Sequence, residues 1–193
     1  MNHYFMNNNL DSNLIKINSI INKKTYSFFV DKGVFSNTKV DFGTKLLLET
    51  VTNISGDVLD LGCGYGVIGI YLRLNYDCRV DMVDINKRAI HLSNMNAREY
   101  KLSDISIFES DAYNNITKKY NVIITNPPIR AGKEKVYEIL VGAKEYLKEN
   151  GKLYFVIRKN QGAKSTLEHL KKFYKTTILE KSNGFFIILA ENN

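Results

Sequence analysis

Proline is almost missing from this chain. Of 193 residues only two are proline, and they are neighbours, Pro127 and Pro128. Cysteine is as scarce: Cys63 and Cys78 fall in different predicted elements with no metal-ligand spacing, so free thiols are expected and a disulfide framework is not. Three scattered histidines, His3, His91 and His169, add too little to make a zinc site, and no metal is expected. No apolar run approaches the ~20 residues that span a bilayer, so no membrane partner is expected. The stretch Met1 to Asn13 is polar and asparagine-rich, reads as mobile, and lacks the basic-then-apolar order of a secretory signal. A cytoplasmic location is the resulting expectation. Neither an internal repeat nor a linker composition divides the chain, so one domain is expected. Residues 1–40 would form a tail and hairpin extension, and residues 41–193 the core.

Acidic residues fail to balance the basic ones on one side of the sequence. The formal net charge is +7, yet residues 1–57 carry 6 Lys/Arg against 5 Asp/Glu and residues 58–120 carry 8 against 8. Residues 121–193 carry 13 against 7, nearly the whole excess. A basic half of this kind suits a polyanion; the plainer alternative is a lysine-rich solvated surface.

The alternation of apolar runs is regular. Leu14–Ile21 and Thr25–Val30 read as a hairpin turning at Asn22-Lys23-Lys24, followed by a turn-rich loop from Asp31 to Thr38. A helix starts near Asp41, a good N-cap, and carries Leu46, Leu47, Leu48 and Val51. Strands are predicted at Val58–Leu61, Arg79–Asp84, Ile105–Phe108, Tyr120–Thr125 and Leu153–Ile157. Between them, Val67, Ile68, Ile70, Tyr71 and Leu74 repeat at helical spacing, as do Ala89, Leu92 and Met95 within Lys87–Tyr100. Val136, Ile139, Leu140, Ala143 and Leu147 form an amphipathic helix stopped near Asn150-Gly151, and Ala163, Leu167, Leu170 and Tyr174 mark a last one. Alternating strands and helices predict a doubly wound, mostly parallel α/β sheet with helices on both faces. Thr176–Glu180 and Phe185–Leu189, joined through Asn183-Gly184, predict a closing antiparallel hairpin and seven strands in all.

Two stretches carry chemistry. Asp60-Leu61-Gly62-Cys63-Gly64-Tyr65-Gly66 follows a strand and opens a helix, as backbone lying against a ligand requires. Asp84 ends the next strand, 18 residues beyond Gly66, where a carboxylate can accept from ribose hydroxyls. The string Gly64-x-Gly66-x-x-Gly69 also fits a dinucleotide fingerprint. Against that reading stand Asp60, which would repel a pyrophosphate but attract a cationic ligand, the position of Gly69 inside the helix, and the closing hairpin. A purely structural glycine loop is the remaining alternative. The second stretch, Asn126-Pro127-Pro128-Ile129, ends the Tyr120–Thr125 strand. Prolines give no N–H to a sheet and push the preceding residue toward an extended conformation, so an amide is held at the ligand-binding edge. A simple strand stop is the plainer reading of that tetrapeptide.

Val58–Gly66 resembles motif I of class I S-adenosylmethionine-dependent methyltransferases, Val83-Asp84 their ribose-binding acid, and Ser110-Asp111-Ala112 their adenine contact. Asn126-Pro127-Pro128-Ile129 resembles the Asn/Asp-Pro-Pro-aromatic motif of N-methylating members. Gly33-Val34-Phe35-Ser36 and Asp41–Leu47 resemble the small-methyltransferase family that includes the catalytic domain of ribosomal RNA small subunit methyltransferase C, and Lys159–Lys164 its stand-alone members. The resemblance runs from about Thr25 onward. It implies a Rossmann-like methyltransferase fold, S-adenosyl-L-methionine as cofactor and S-adenosyl-L-homocysteine as product. The activity it implies is methylation of the exocyclic N2 of a guanine, with ribosomal RNA or the small ribosomal subunit as partner. Thr44, Asp60, Gly62, Cys63, Gly64, Gly66, Asp84, Ile85, Asp111, Ala112 and Asn126 are the implied cofactor residues. Asn126, Pro127, Pro128 and Ile129 are the implied catalytic ones, Ile129 standing where guanine-N2 members usually carry an aromatic.

Such an enzyme must hold a delocalised amine behind a sulfonium methyl. The Asn126 side-chain oxygen and the Pro127 carbonyl are the expected acceptors for its two N–H groups, with Ile129 against the base. Arg130, Lys133, Arg158, Lys159 and Lys164 are expected to hold phosphates around an unpaired nucleotide. Protein glutamine N5-methylation, adenine-N6 methylation of nucleic acid, and a non-catalytic RNA-binding module are the competing readings.

Overall fold

The computed structural model describes residues 12–192, so most of the polar stretch Met1 to Asn13 lies outside the described residues. β1 (Ile15–Ile21) and β2 (Lys24–Val30) form the expected antiparallel hairpin. Its turn is one residue tighter than expected. Asn22 and Lys23 take φ of 47° and 65°, a two-residue turn whose twist matches the strands, so Lys24 pairs with Ile21 instead of turning.

The remaining strands form one sheet. They are β3 (Gly56–Leu61), β4 (Cys78–Asp84), β5 (Ile105–Glu109), β6 (Tyr120–Thr125), β7 (Leu147–Arg158), β8 (Lys175–Ser182) and β9 (Phe185–Glu191), in the order β5-β4-β3-β6-β7-β9-β8. Pairings from β5 across to β7 are parallel, and β9 runs antiparallel to both β7 and β8. Asn183 and Gly184, with φ of 48° and 77°, make the closing turn. The seven-stranded, mostly parallel sheet with its antiparallel end is the predicted architecture.

Side chains alternate between two cores. Val58, Val80, Met82, Val122, Ile124 and Val156 join one, against the N-terminal hairpin, α1 (Phe42–Thr50), α2 (Val67–Asn75) and α3 (Lys87–Glu99). Leu59, Val83, Ile123, Phe155 and Ile157 join the other, beneath α4 (Lys133–Tyr146) and α5 (Ala163–Leu170). Strands buried on both faces read as unbroken apolar runs, which is why they were visible in the sequence.

Two boundaries differ. The helix expected to stop near Asn150-Gly151 ends at Tyr146, because buried Leu147 already pairs with Tyr120. The next residues form a bulge before Lys152 pairs with Val122, and Asn150 takes φ of 59°. Tyr174, expected on the last helix, lies beyond it but is buried, giving its hydroxyl hydrogen to the Leu140 carbonyl at 3.0 Å.

Strand order reverses between β3 and its neighbour β6. The chain segments leaving these two strands therefore flank one crevice at the sheet's C-terminal edge, where open α/β sheets bind ligands.

Candidate active site

The loop after β3 folds back on β4: the Gly62 and Cys63 N–H groups both donate to the Val83 carbonyl at 2.9 Å. α3 braces it from below, with Ser93 Oγ donating to the Gly64 carbonyl and Asn96 Nδ2 to the Tyr65 carbonyl, both at 2.8 Å. Gly62 and Gly64 have φ of 77° and 57°, and a Cβ built on either meets no atom within 4 Å. The bare backbone thus faces open space in a conformation that side chains disfavour. Gly69 answers a different need. Its Cβ would fall 2.5 Å from Met82 Cγ, so α2 can lie against β4 only through a residue without one.

The two acids differ in place. Asp84 Oδ2 accepts the Gly64 N–H at 2.9 Å and Oδ1 the Asn86 N–H at 2.8 Å. Burial raises its carboxyl, and these backbone donors oppose the rise. Asp60 lies under the loop and does not line the crevice. It is fully buried, its Oδ2 accepts the Gly69 N–H at 2.8 Å, and its Oδ1 has no partner among the described residues. Burial first, and the charge of Asp84 after it, push its carboxyl up to about 7 against the pull of the Gly69 N–H.

Across the crevice stands the end of β6. Asn126 Nδ2 donates to Thr44 Oγ1 at 2.9 Å and to Asp41 Oδ2 at 3.2 Å. A carboxylate only accepts, so the amide nitrogen must face Asp41, and Oδ1 is left as an acceptor. Asp41 simultaneously caps α1, taking the Thr44 N–H at 3.2 Å. Pro128, at φ −75° and ψ 77°, centres an inverse γ-turn in which the Ile129 N–H donates to the Pro127 carbonyl at 2.8 Å. That bond fixes the carbonyl's direction and occupies one of its two lone pairs.

These parts enclose a cavity of about 680 Å³. Thr44, Gly62, Cys63, Gly64, Asp84, Ile85, Asp111, Ala112 and the whole Asn126–Ile129 motif line it, as do Arg130 and Arg158. Gly66, Lys133, Lys159 and Lys164 do not. Lys133 opens α4 with its Nζ 5.1 Å from the Tyr137 ring centre, Lys159 sits in the 3-10 turn after β7, and Lys164 is on α5. Asp111 accepts from Lys135 Nζ at 2.6 Å, tying the start of α4 to that wall. Lys135, the second role of Asp41, and Phe185, which lines the cavity from β9, were not legible in the sequence. Their signals were hidden: a lysine on a helix, a helix cap and a strand phenylalanine each have an ordinary structural use. The segment from Val34 to Ser36 lines the same cavity. It is pinned by Asn86 Nδ2 donating to the Gly33 carbonyl at 2.9 Å and by Tyr65 donating to the Ser36 carbonyl at 3.3 Å.

Comparison with known proteins agrees with this architecture. The sequence model for the methyltransferase small domain matches residues 25–189. An uncharacterised Bacillus subtilis protein, YbxB, is 40% identical over 177 residues, covering 89% of this chain and 88% of its own. Ribosomal RNA small subunit methyltransferase C of Vibrio parahaemolyticus is 36% identical over 166 residues, which are 83% of this chain and 48% of that protein. A T. thermophilus 16S rRNA N2 methyltransferase, solved with AdoMet and guanosine, superposes with a TM-score of 0.83 at 24% identity, covering 93% of this chain and 51% of that one. That likeness establishes the fold, and the chain spans about half the length of these methyltransferase C relatives. With a glycine cradle, an acid at its rim and the Asn-Pro-Pro motif opposite, the chain belongs to the methyltransferase small domain family, whose cofactor is S-adenosylmethionine.

Proposed function

We propose that the protein methylates the exocyclic N2 of a guanine in ribosomal RNA. The carrying observation is the fixed amide of Asn126, whose nitrogen is spent on Asp41 and Thr44 and whose oxygen is left to accept. An aromatic amine has its lone pair drawn into the ring. Acceptors on its two N–H groups favour a pyramidal nitrogen and stabilise the positive charge that develops there. Asn126 Oδ1 and the second lone pair of the Pro127 carbonyl are those acceptors.

The cavity fits the cofactor by its bare glycine cradle, where a Cβ at Gly62 or Gly64 would fill the space the ligand needs. S-adenosylmethionine, when bound, supplies an electrophilic methyl group on a sulfonium. Gly62, Cys63 and Gly64 give it backbone to lie on, Asp84 accepts from the ribose, and Asp111 and Ala112 border the adenine. Asp60 acts through the loop, which it supports from beneath via Gly69. Arg130 holds RNA at the mouth, with Lys133, Lys159 and Lys164 farther out. Base access requires an unpaired or flipped nucleotide.

Asn126→Ala tests the assignment. Calorimetric affinity for S-adenosylmethionine is expected to stay within a few-fold, and methyl transfer to fall by roughly a hundredfold or more. Turnover within a few-fold of wild type would remove the proposed role of Asn126.

A further inference from the structure

We infer that Arg158 stacks on the target base, taking the part of the aromatic ring that the Asn-Pro-Pro motif lacks in this chain. The inference rests on the methylation reading above. Ile129 fills the fourth motif position and is packed against the core beneath α4, so no ring follows the prolines. Arg158 lies on the same cavity wall, at the end of β7, whose Phe155 pairs with Thr125 just before Asn126.

Its guanidinium carbon sits 4.3 Å from the centre of the Phe185 ring. Phe185 is itself buried and braced, with the Phe42 ring centre 5.5 Å away. Gly43 lets α1 close on it, because a Cβ there would come within 2.7 Å of Phe185 Cε1. The same helix start therefore supports both elements: Asp41 and Thr44 hold the Asn126 amide, while Phe42 and Gly43 hold the ring beneath Arg158. Among the described residues no carboxylate lies within 4.0 Å of Arg158, so the ring and not an ion pair supports its head group. A planar cation laid on an aromatic ring is a stacking surface for an electron-rich purine. Lysine at this position would keep the charge and lose the plane.

That contrast separates stacking from the phosphate contact expected from the sequence. The experiment measures kcat/KM for transfer to protein-free ribosomal RNA from a strain lacking the gene, over a range of salt concentrations. It compares wild type, Arg158→Lys, Arg158→Ala and the double variant Arg158→Ala/Ile129→Phe. Stacking predicts that Arg158→Lys falls nearly as far as Arg158→Ala, by roughly five- to a hundredfold. The salt slope then stays unchanged for Arg158→Lys, and Ile129→Phe restores part of the loss. Calorimetric affinity for S-adenosylmethionine stays at wild type, since Arg158 ends β7, which β6 separates from β3 and the glycine loop that follows it. Full activity in Arg158→Lys, with a salt slope reduced by about 0.7 in Arg158→Ala, would make Arg158 a phosphate contact and overturn the inference. No transfer by wild type to this RNA or to small ribosomal subunits from the same strain would instead remove the reading on which it rests.

Discussion

The side-chain nitrogen of Asn126 and Oδ2 of Asp41 lie 3.2 Å apart, 85 positions distant in sequence, joining the end of a core strand to the first turn of α1. Asp41 thus has two duties, the helix cap and the amide lock. Asp41→Asn keeps an acceptor for both. Asp41→Ala keeps neither. The alanine variant is expected to lose about 1 kcal/mol of stability from the cap. Its kcat should also drop roughly tenfold as the amide loses its fixed orientation, with the asparagine variant close to wild type. Thermal melts and steady-state rates on the two variants check this.

Asp60 predicts an unusual pH dependence. Its folded carboxyl is raised to about 7 from an ordinary 3.8. A raised folded value means the folded state holds the proton more tightly. The contribution to stability is therefore full below about pH 4 and is lost as pH rises toward 7. Isosteric Asp60→Asn retains an acceptor for the Gly69 N–H and removes the titration. Between pH 4 and 8 the wild-type protein without cofactor should lose on the order of 2–4 kcal/mol relative to the variant. Parallel stability curves for the two proteins would refute the assignment.

Gly69→Ala sets two effects against each other. Alanine in a helix interior gains about 1 kcal/mol over glycine. Overpacking against Met82, whose Cγ would lie 2.5 Å from the new Cβ, costs about 1–3 kcal/mol. Displacing α2 also strains the bond from the Gly69 N–H to Asp60. The net expectation is a loss of about 1–2 kcal/mol, read from the denaturant midpoint.

Much of the fold was legible because parallel strands buried on both faces leave continuous apolar runs, and Asn183-Gly184 names its own turn. The Asn22-Lys23 turn and the bulge after Leu147 were not, since pairing partners decide where a strand begins. In the site, the glycine loop, Asp84 and Asn126 were visible through their spacing. The Asp41 lock and the support of Phe185 beneath Arg158 were not, because both depend on α1 packing against strand ends far away in sequence. Asp60 shows a related limit. Its place beside the glycine loop suggested ligand contact, and only the fold shows its side chain turned under α2 toward the Gly69 N–H.

Lys133, Lys159 and Lys164 do not line the cavity but are close in sequence to Ala131, Arg158 and Gln161, which do, and they are the proposed phosphate contacts on a flanking strand. Replacing all three with alanine should lower the slope of log affinity against log salt by about 2 for single-stranded RNA and leave affinity for S-adenosylmethionine unchanged. An unchanged slope in fluorescence anisotropy would place the RNA elsewhere.

Nucleoside mass spectrometry of ribosomal RNA from cells with and without the gene bears on the guanine assignment most directly. The expected result is one N2-methylguanosine that is missing without the gene and is restored by the wild-type protein but not by Asn126→Ala. A complete set of methylguanosines in the deletion strain, or restoration by Asn126→Ala, would contradict it.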